Sequence, residues 1–404
     1  MSHTEDTHMN RSHYAAWIAV ALCPAGAIAC GGASHGTTKP TALQREKATL
    51  QRTLDRLTAA GVPGAVVLVR NGNQTLRVTS GHANVEKRTP MRASDRFRIG
   101  SVTKSFTAAV ALQLVGEGRL ALDDTVERWL PGLLAEKNTT IRELLNHTSG
   151  LFDYTDDPRF FERLLEHPKA VWTPRRMVRI ATAHGPNFAP GSRWWYSNTA
   201  YIVLGMVIEA ATRHSVATEI SKRILAPLRL RSTSFDTSPR IAGTYAHGYA
   251  FLEGGLRRDM SIFSPSAPWA AGAIVSTADD VASFYRALLG GRLLRPHLLH
   301  AMRTTVPIPL DPRHGRSGLG LFAIQSPCGR IWGHDGQFAG YHTLAWSSRH
   351  AKRQVVVMVN ADPLPDETTE EALKRLVDAA YCGRAPGAIP RQERLAVQRQ
   401  SERE

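Results

Sequence analysis

Cysteine is scarce in this chain, 4 among 404 residues, and none stands at zinc-finger or zinc-ribbon spacing, so the sequence implies no cysteine-built metal site. Acidic residues are outnumbered, 35 Asp and Glu against 50 Lys and Arg, for a formal net charge of +15. The basic residues are mostly arginines scattered from end to end, with one modest cluster in the tail RQERLAVQRQSERE (391–404). A scattered surplus gives solubility and weak attraction to anionic polymers, not a shaped nucleic-acid groove. Aromatic residues interleaved with basic ones, the other nucleic-acid signature, are also missing, and no internal repeat is visible.

Long hydrophobic runs are lacking too. YAAWIAVALCPAGAIAC (14–30) has the length of a signal-peptide core but is too short for a comfortable membrane span, and Pro24 and Gly26 break it. Ala27-Ile28-Ala29 supplies a small-x-small cleavage pattern, so residues 1–29 are expected to be an export signal. Glu5 and Asp6 do not suit its start; translation from Met9 would place Arg11 there instead. Cys30 follows the cleavage pattern in AIACGGAS, which resembles a bacterial lipoprotein signal, although Ala27 stands where Leu is usual. The expected product is exported, either secreted or held by a lipid on Cys30 at the outer face of the membrane.

With Cys23 removed, Cys328 and Cys382 are the cysteines left in the folded body. In an oxidising compartment they would pair and tie a C-terminal strand to the last helix; two buried free thiols are the alternative. A bridge closing that loop would contribute about 4 kcal/mol on the chain-entropy model.

Residues 30–40 read as a tether and 384–404 as a charged, disordered tail. Between them, strand-like segments (GAVVLVR, TLRVTS, GLGLFAI, RIWGH, HTLAWSS, RQVVVMVN) bracket a middle rich in helical patterns. The hairpin-like spacing of the C-terminal strands predicts an antiparallel sheet. The fold class is therefore α/β (α+β), with a sheet domain over 41–120 and 266–383 and an inserted all-helical lobe over 121–265. A cleft between them is where a site is expected.

GASHG (32–36) matches G-x-S-x-G around Ser34, but a cleavable signal precedes it and a Gly/Thr/Pro tether follows, so the strand–turn–helix context is absent. FRIGSVTKSF (97–106) is better placed. Ser101 opens a predicted helix, where the structural role is an N-cap. Lys104 lies one turn on, among Phe106, Val110 and Leu112, where a charged amine is costly. Burial and the helix dipole both lower its pKa, and a neutral amine beside a serine can take its proton. RWWYSNTAYIVLG (193–205) offers Tyr196 and Asn198 just before an apolar helix; a packed aromatic and an N-cap are the alternatives. IWGHDGQFAGYHT (331–343) sets His334 and Asp335 before Gly336, which on its own reads as a turn.

Taken in order, SVTK, YSN and HDG resemble the serine penicillin-recognising family: actinomycete D-alanyl-D-alanine carboxypeptidases, class C β-lactamases and related esterases. The resemblance covers most of residues 45–385, including LLNHTSGLFDYT (144–155), and looks closest to the secreted Streptomyces-type carboxypeptidases, to which a bridge between Cys328 and Cys382 also corresponds. It implies a β-lactamase/transpeptidase-like fold in a monomer. Ser101 would be the acylated nucleophile, Lys104 its base partner and Tyr196 the proton shuttle, or the group that activates the deacylating water. Asn198 would bind the substrate amide, and the backbone N–H groups of Ser101 and Gln337 would form the oxyanion hole. No metal or organic cofactor is implied. Stem peptides of the cell wall would be substrates and β-lactams acylating inhibitors.

Two positions depart from the pattern. The third motif is usually Lys-Thr-Gly or His-Thr-Gly, whose cation and hydroxyl help hold a substrate carboxylate; His334 fits, whereas the Asp335 carboxylate would repel it. After GLGL, the nearest relatives carry a carboxylate-binding arginine, and here stands Phe322. Three readings follow: a D,D-carboxypeptidase with a rearranged carboxylate grip, in which Asp335 is protonated or paired to an arginine; a hydrolase of the same fold acting on esters, amides or amine-bearing D-peptides; and a catalytically weak envelope protein that binds polyanions.

Overall fold

The computed structural model describes residues 40–252, 256–309, 311 and 313–383. The expected signal, Ser34, Cys30, nearly all of the tether and the tail lie outside the described residues.

Strands form where apolar residues can face two layers at once. β1 (Gly64–Asn71) is buried at every position but its last. It pairs antiparallel with β2 (Gln74–Asn84), whose far end meets β3 (Thr89–Pro90). β4 (Phe97–Arg98), β5 (Ser234–Phe235) and β8 (Ile274–Ser276) make a separate three-stranded sheet, and β6 (Tyr249–Phe251) pairs with β7 (Arg257–Asp259). The C-terminal third supplies β9 (Val306–Pro307), β10 (Arg316–Ser317), β11 (Phe322–Ser326), β12 (Gly329–Phe338), β13 (Tyr341–Ser347) and β14 (Arg353–Val359). These join the first three in a nine-stranded sheet of order β3-β2-β1-β14-β13-β12-β11-β10-β9. All its pairings are antiparallel, as the hairpin spacing predicts.

Side-chain alternation divides the core between the two faces. Ala65, Val67, Val69, Val355 and Val357 meet Leu50, Leu54 and Leu57 of α1 (Ala42–Ala59) and Leu373, Leu376 and Val377 of the helix Glu367–Cys382. Val66, Leu68, Val356 and Met358 face the other core, built around α2 (Thr103–Gly116) and the helices Asn198–Thr212 and Ala278–Leu289. α2 is buried at eleven of its fourteen positions, so Lys104 is enclosed on all sides.

One expectation needs correction, and one alternative reading falls. The segment 121–265 is rich in helices but not all-helical, because β5, β6 and β7 lie within it. Strands of two or three residues are too short to show a period-2 pattern, and they form because their backbone groups find partners only across the chain, β5 on β8. The residues GHDG do not form a turn: they sit inside β12, which runs on to Phe338.

Candidate active site

Gly100–Val102 forms a single 3-10 turn that leads into α2. Val102 is the helix cap and has no capping side chain, which leaves Ser101 free of the N-cap role. Instead its Oγ lies 3.0 Å from Lys104 Nζ and 2.7 Å from Tyr196 Oη. Nor is Asn198 a cap: Ser197 caps its helix by accepting from Ala200 N, and Asn198 is the first helical residue, its side chain turned toward the lysine.

Lys104 is fully buried, and its Nζ also reaches Asn198 Oδ1 at 2.7 Å and the Ala271 carbonyl at 3.0 Å. Burial pushes its pKa down to about 7, against the opposing pull of Asp153 and Asp335. Donor counting then sets the proton order. The Asn198 and Ala271 oxygens can only accept, so they take both N–H groups of a neutral amine and leave its lone pair for Ser101 O–H. Burial holds the Tyr196 phenol well above its usual pKa, although its bond to Ser101 works the other way. Tyr196 therefore keeps its proton and donates it to Ser101 Oγ. Near neutral pH the chain runs Tyr196 to Ser101 to Lys104, an arrangement able to generate a serine nucleophile and to return a proton to a leaving group.

The strand β12 forms the opposite wall. β11 pairs with it only as far as Phe322 opposite Gly333, so 334–338 extend beyond that neighbour. Gly336 lies directly against the nucleophile turn: a Cβ there would come 2.1 Å from the Ile99 carbonyl and 2.7 Å from Ser101 N. A Cβ on Gly100, which has φ +48°, would come 2.7 Å from Gln337 N. These contacts bring the Ser101 and Gln337 backbones side by side, as two oxyanion donors require.

His334, Asp335 and Phe322 are also present, but not as a carboxylate grip. His334 is buried, and burial holds its pKa down to about 4, opposed by Asp335 and reinforced by Lys104. It is neutral at physiological pH, with Nδ1 bonded to the Asp335 carbonyl and Nε2 unpartnered. The expected cation is therefore absent from that position. Phe322 stacks on the imidazole at 4.4 Å between ring centres, 25° from parallel. The Asp335 side chain is about half exposed, and the nearest basic nitrogen paired with it among the described residues is His334 Nδ1 at 3.6 Å. No arginine pairs with Asp335 among the described residues, so the arginine pairing that was one of the expectations is not seen there.

Sequence reasoning assigned no role to two residues of LLNHTSGLFDYT that hold this site together. Asp153 is buried and accepts at one oxygen from both Asn198 N and Asn198 Nδ2, each at 2.9 Å, which turns Asn198 Oδ1 toward Lys104. His147 receives Trp195 N on its carbonyl at 3.0 Å and Ser197 N on Nδ1 at 3.2 Å, gripping the backbone on both sides of Tyr196. Its ring also stacks on Tyr196 at 4.5 Å. Burial, reinforced by the nearby Lys104, keeps His147 well below the usual histidine range. Cys328 and Cys382 lie with Cα atoms 5.7 Å apart, where the β11–β12 turn meets the last helix. Among the described residues no cluster of His, Cys, Asp or Glu could hold a metal ion, and no helix is long and apolar enough to cross a membrane.

A serine coupled to a buried lysine and a protonated tyrosine, beside an open strand edge, defines a serine hydrolase of the acyl-transfer class. The chain matches the Beta-lactamase family over residues 50–379 and belongs to that family. It is similar to the D-stereospecific amidohydrolase of a Streptomyces species, 38% identical with a TM-score of 0.77, over 84% of this chain and 99% of that one. The D-amino acid amidase of Ochrobactrum anthropi SV3, in complex with D-phenylalanine, is 28% identical with a TM-score of 0.74, over 84% and 100% of the two chains. Penicillin-binding protein 4* of Bacillus subtilis is 28% identical over 344 residues, 81% of this chain and 74% of its own.

Proposed function

We propose that this protein hydrolyses amides and esters of D-amino acids through an acyl-enzyme on Ser101, and that Asp335 receives the free ammonium group of the substrate. Ser101 Oγ attacks the carbonyl as Lys104 takes its proton; Tyr196 gives its own proton to the departing amine or alcohol and is reprotonated from Lys104, while Asn198 hydrogen-bonds the substrate amide. A water that yields its proton to the same pair then cleaves the acyl–Ser101 ester and restores the serine hydroxyl. The N–H groups of Ser101 and Gln337 receive the developing oxyanion, each worth about 3 kcal/mol of barrier.

The observation that carries this reading is Asp335: a half-exposed carboxylate on the strand that walls the site, in no ion pair with a lysine or arginine among the described residues. Beside it, the histidine of the same motif is neutral and covered by Phe322. Such a groove attracts an ammonium and repels a terminal carboxylate. The similarity to a D-stereospecific amidohydrolase and a D-amino acid amidase supports both the amide bond and the D configuration. Export to an oxidising compartment belongs to the same proposal, and the proximity of Cys328 and Cys382 supports it.

D,D-carboxypeptidase action is the second reading, favoured by the similarity to penicillin-binding protein 4*. The two separate on substrates. The full chain is given D-phenylalaninamide, its N-acetyl derivative and an acyl-D-Ala-D-Ala peptide, and Asp335→Asn is compared with the wild type. The expected kcat/KM is highest for the free amine and falls about 10- to 100-fold for it alone in Asp335→Asn. Preference for the acyl-D-Ala-D-Ala peptide would establish the carboxypeptidase reading instead.

A further inference from the structure

A cavity of about 600 Å³, remote from Ser101, is lined by Arg70, Thr75, Leu228, Ser283, Arg286 and Arg292. The strand register gives its position. Arg70 of β1 is paired with Gln354, Gln354 with Ser347, and Ser347 with Trp332, near the start of β12 and four residues before Gly336. Three strand spacings and four residues put it on the order of 20 Å from Gly336.

The cavity is short of negative charge. Arg70 is only 8% exposed, although arginine is seldom so buried without a full set of partners. Its Nε donates to Thr75 Oγ1 at a long 3.3 Å, and its Nη2 stands 3.8 Å from Asp279 Oδ1, beyond hydrogen-bond reach. Asp279 is already held by Arg77, through Nε at 2.8 Å and through Nη2. The neighbouring carboxylate, Asp280, is turned to Ser232 N and Thr233 Oγ1. Arg286 has a neutral partner, Asn73 Oδ1, at 3.3 Å, and Arg292 is exposed beside it. Burial lowers the Arg70 pKa, and so do the Arg286 and Arg77 charges, with Asp279 opposing them. Arg70 and Arg77 thus share the Asp279 carboxylate, and Arg286 and Arg292 are in no ion pair among the described residues, with the Thr75 and Ser283 hydroxyls in the same wall. Guanidinium forks with hydroxyl donors are the groups that recognise phosphate oxygens, often two at a time.

We propose that this cavity is a binding site for a phosphoanhydride, carried either by free pyrophosphate or by a longer polyphosphate chain. The anion would sit between Arg70 at the cavity floor and Arg286 and Arg292 at its rim, with Thr75 and Ser283 donating to the remaining oxygens. The site is independent of the hydrolytic reading of Ser101.

Calorimetric titration of the full chain with inorganic pyrophosphate, at ionic strength held constant with chloride, tests it. One saturable site per chain is expected, with affinity at least 10-fold weaker in an Arg286→Glu/Arg292→Glu double variant and ester hydrolysis unchanged. Arg70→Gln should weaken binding as well; because Arg70 is buried, the rim double variant decides should that protein not fold. Long-chain polyphosphate is titrated alongside. Affinity more than 10-fold above that of pyrophosphate identifies the polymer as the source, and equal affinity identifies the free anion. Absence of saturable binding, or undiminished affinity in the double variant, would overturn the proposal.

Discussion

Lys104 Nζ lies 3.0 Å from Ser101 Oγ, while its other contacts, Asn198 Oδ1 and the Ala271 carbonyl, can only accept. A neutral lysine in that setting has a single direction left for its lone pair, toward the serine. The catalytic competence of the site therefore rests on the charge state of one buried amine.

Activity should follow that charge. Lys104 titrates at about 7, lowered mainly by burial. Below that pH the protonated amine cannot accept the Ser101 proton; above it the amine is free. The kcat/KM profile of the wild type should rise with pH and level off past a midpoint near 7. Lys104→Met should lose about 100- to 10,000-fold at the plateau. A profile flat from pH 5 to 8 would remove Lys104 from the role of base.

Asp153 raises the Lys104 pKa by its charge and holds Asn198 in place. In Asp153→Asn the charge is gone, so the acidic limb should move to lower pH. The plateau kcat should fall as well, because Asn198 is less firmly oriented. A merely structural Asp153 would lower activity and leave the limb where it was.

Gly336 has no room for a side chain, since a Cβ would stand 2.1 Å from the Ile99 carbonyl and 2.7 Å from Ser101 N. Gly336→Ala must push β12 and the nucleophile turn apart. Kinetic assay should show at least a 100-fold loss of kcat/KM, and chemical denaturation a stability loss of about 1–3 kcal/mol. Wild-type turnover in this variant would mean that the two backbones need not touch.

Cys328 and Cys382 are separated by 54 residues in sequence. If they are joined, thiol counting under denaturing conditions should find neither free. A Cys328→Ser/Cys382→Ser variant should then lose about 4 kcal/mol of unfolding free energy. Two free thiols in the purified, unreduced protein would refute the bridge.

The serine–lysine pair was legible in the sequence because its logic is local: a hydroxyl and an amine one turn apart on an apolar helix. Tyr196 was legible by its place among ordered motifs, and the antiparallel sheet by its hairpin spacing. Asp153 and His147 were not assigned roles, because each works through contacts 45 to 50 residues away, on Asn198 and Ser197. The boundary at Asn198 was displaced by one residue, since serine and asparagine are equally good caps and only the geometry distinguishes them. The sequence suggested a cation at His334; what neutralises it is burial beneath Phe322, a tertiary effect with no local signature.

The most direct measurement is intact mass of the full chain, acid-quenched within its first turnovers on a D-phenylalanine ester. The account expects a mass increase of one D-phenylalanyl group, mapped by peptide analysis to Ser101 and absent from Ser101→Ala, which should no longer turn over the ester. Undiminished hydrolysis by Ser101→Ala, or an adduct mapped to another residue, would contradict it.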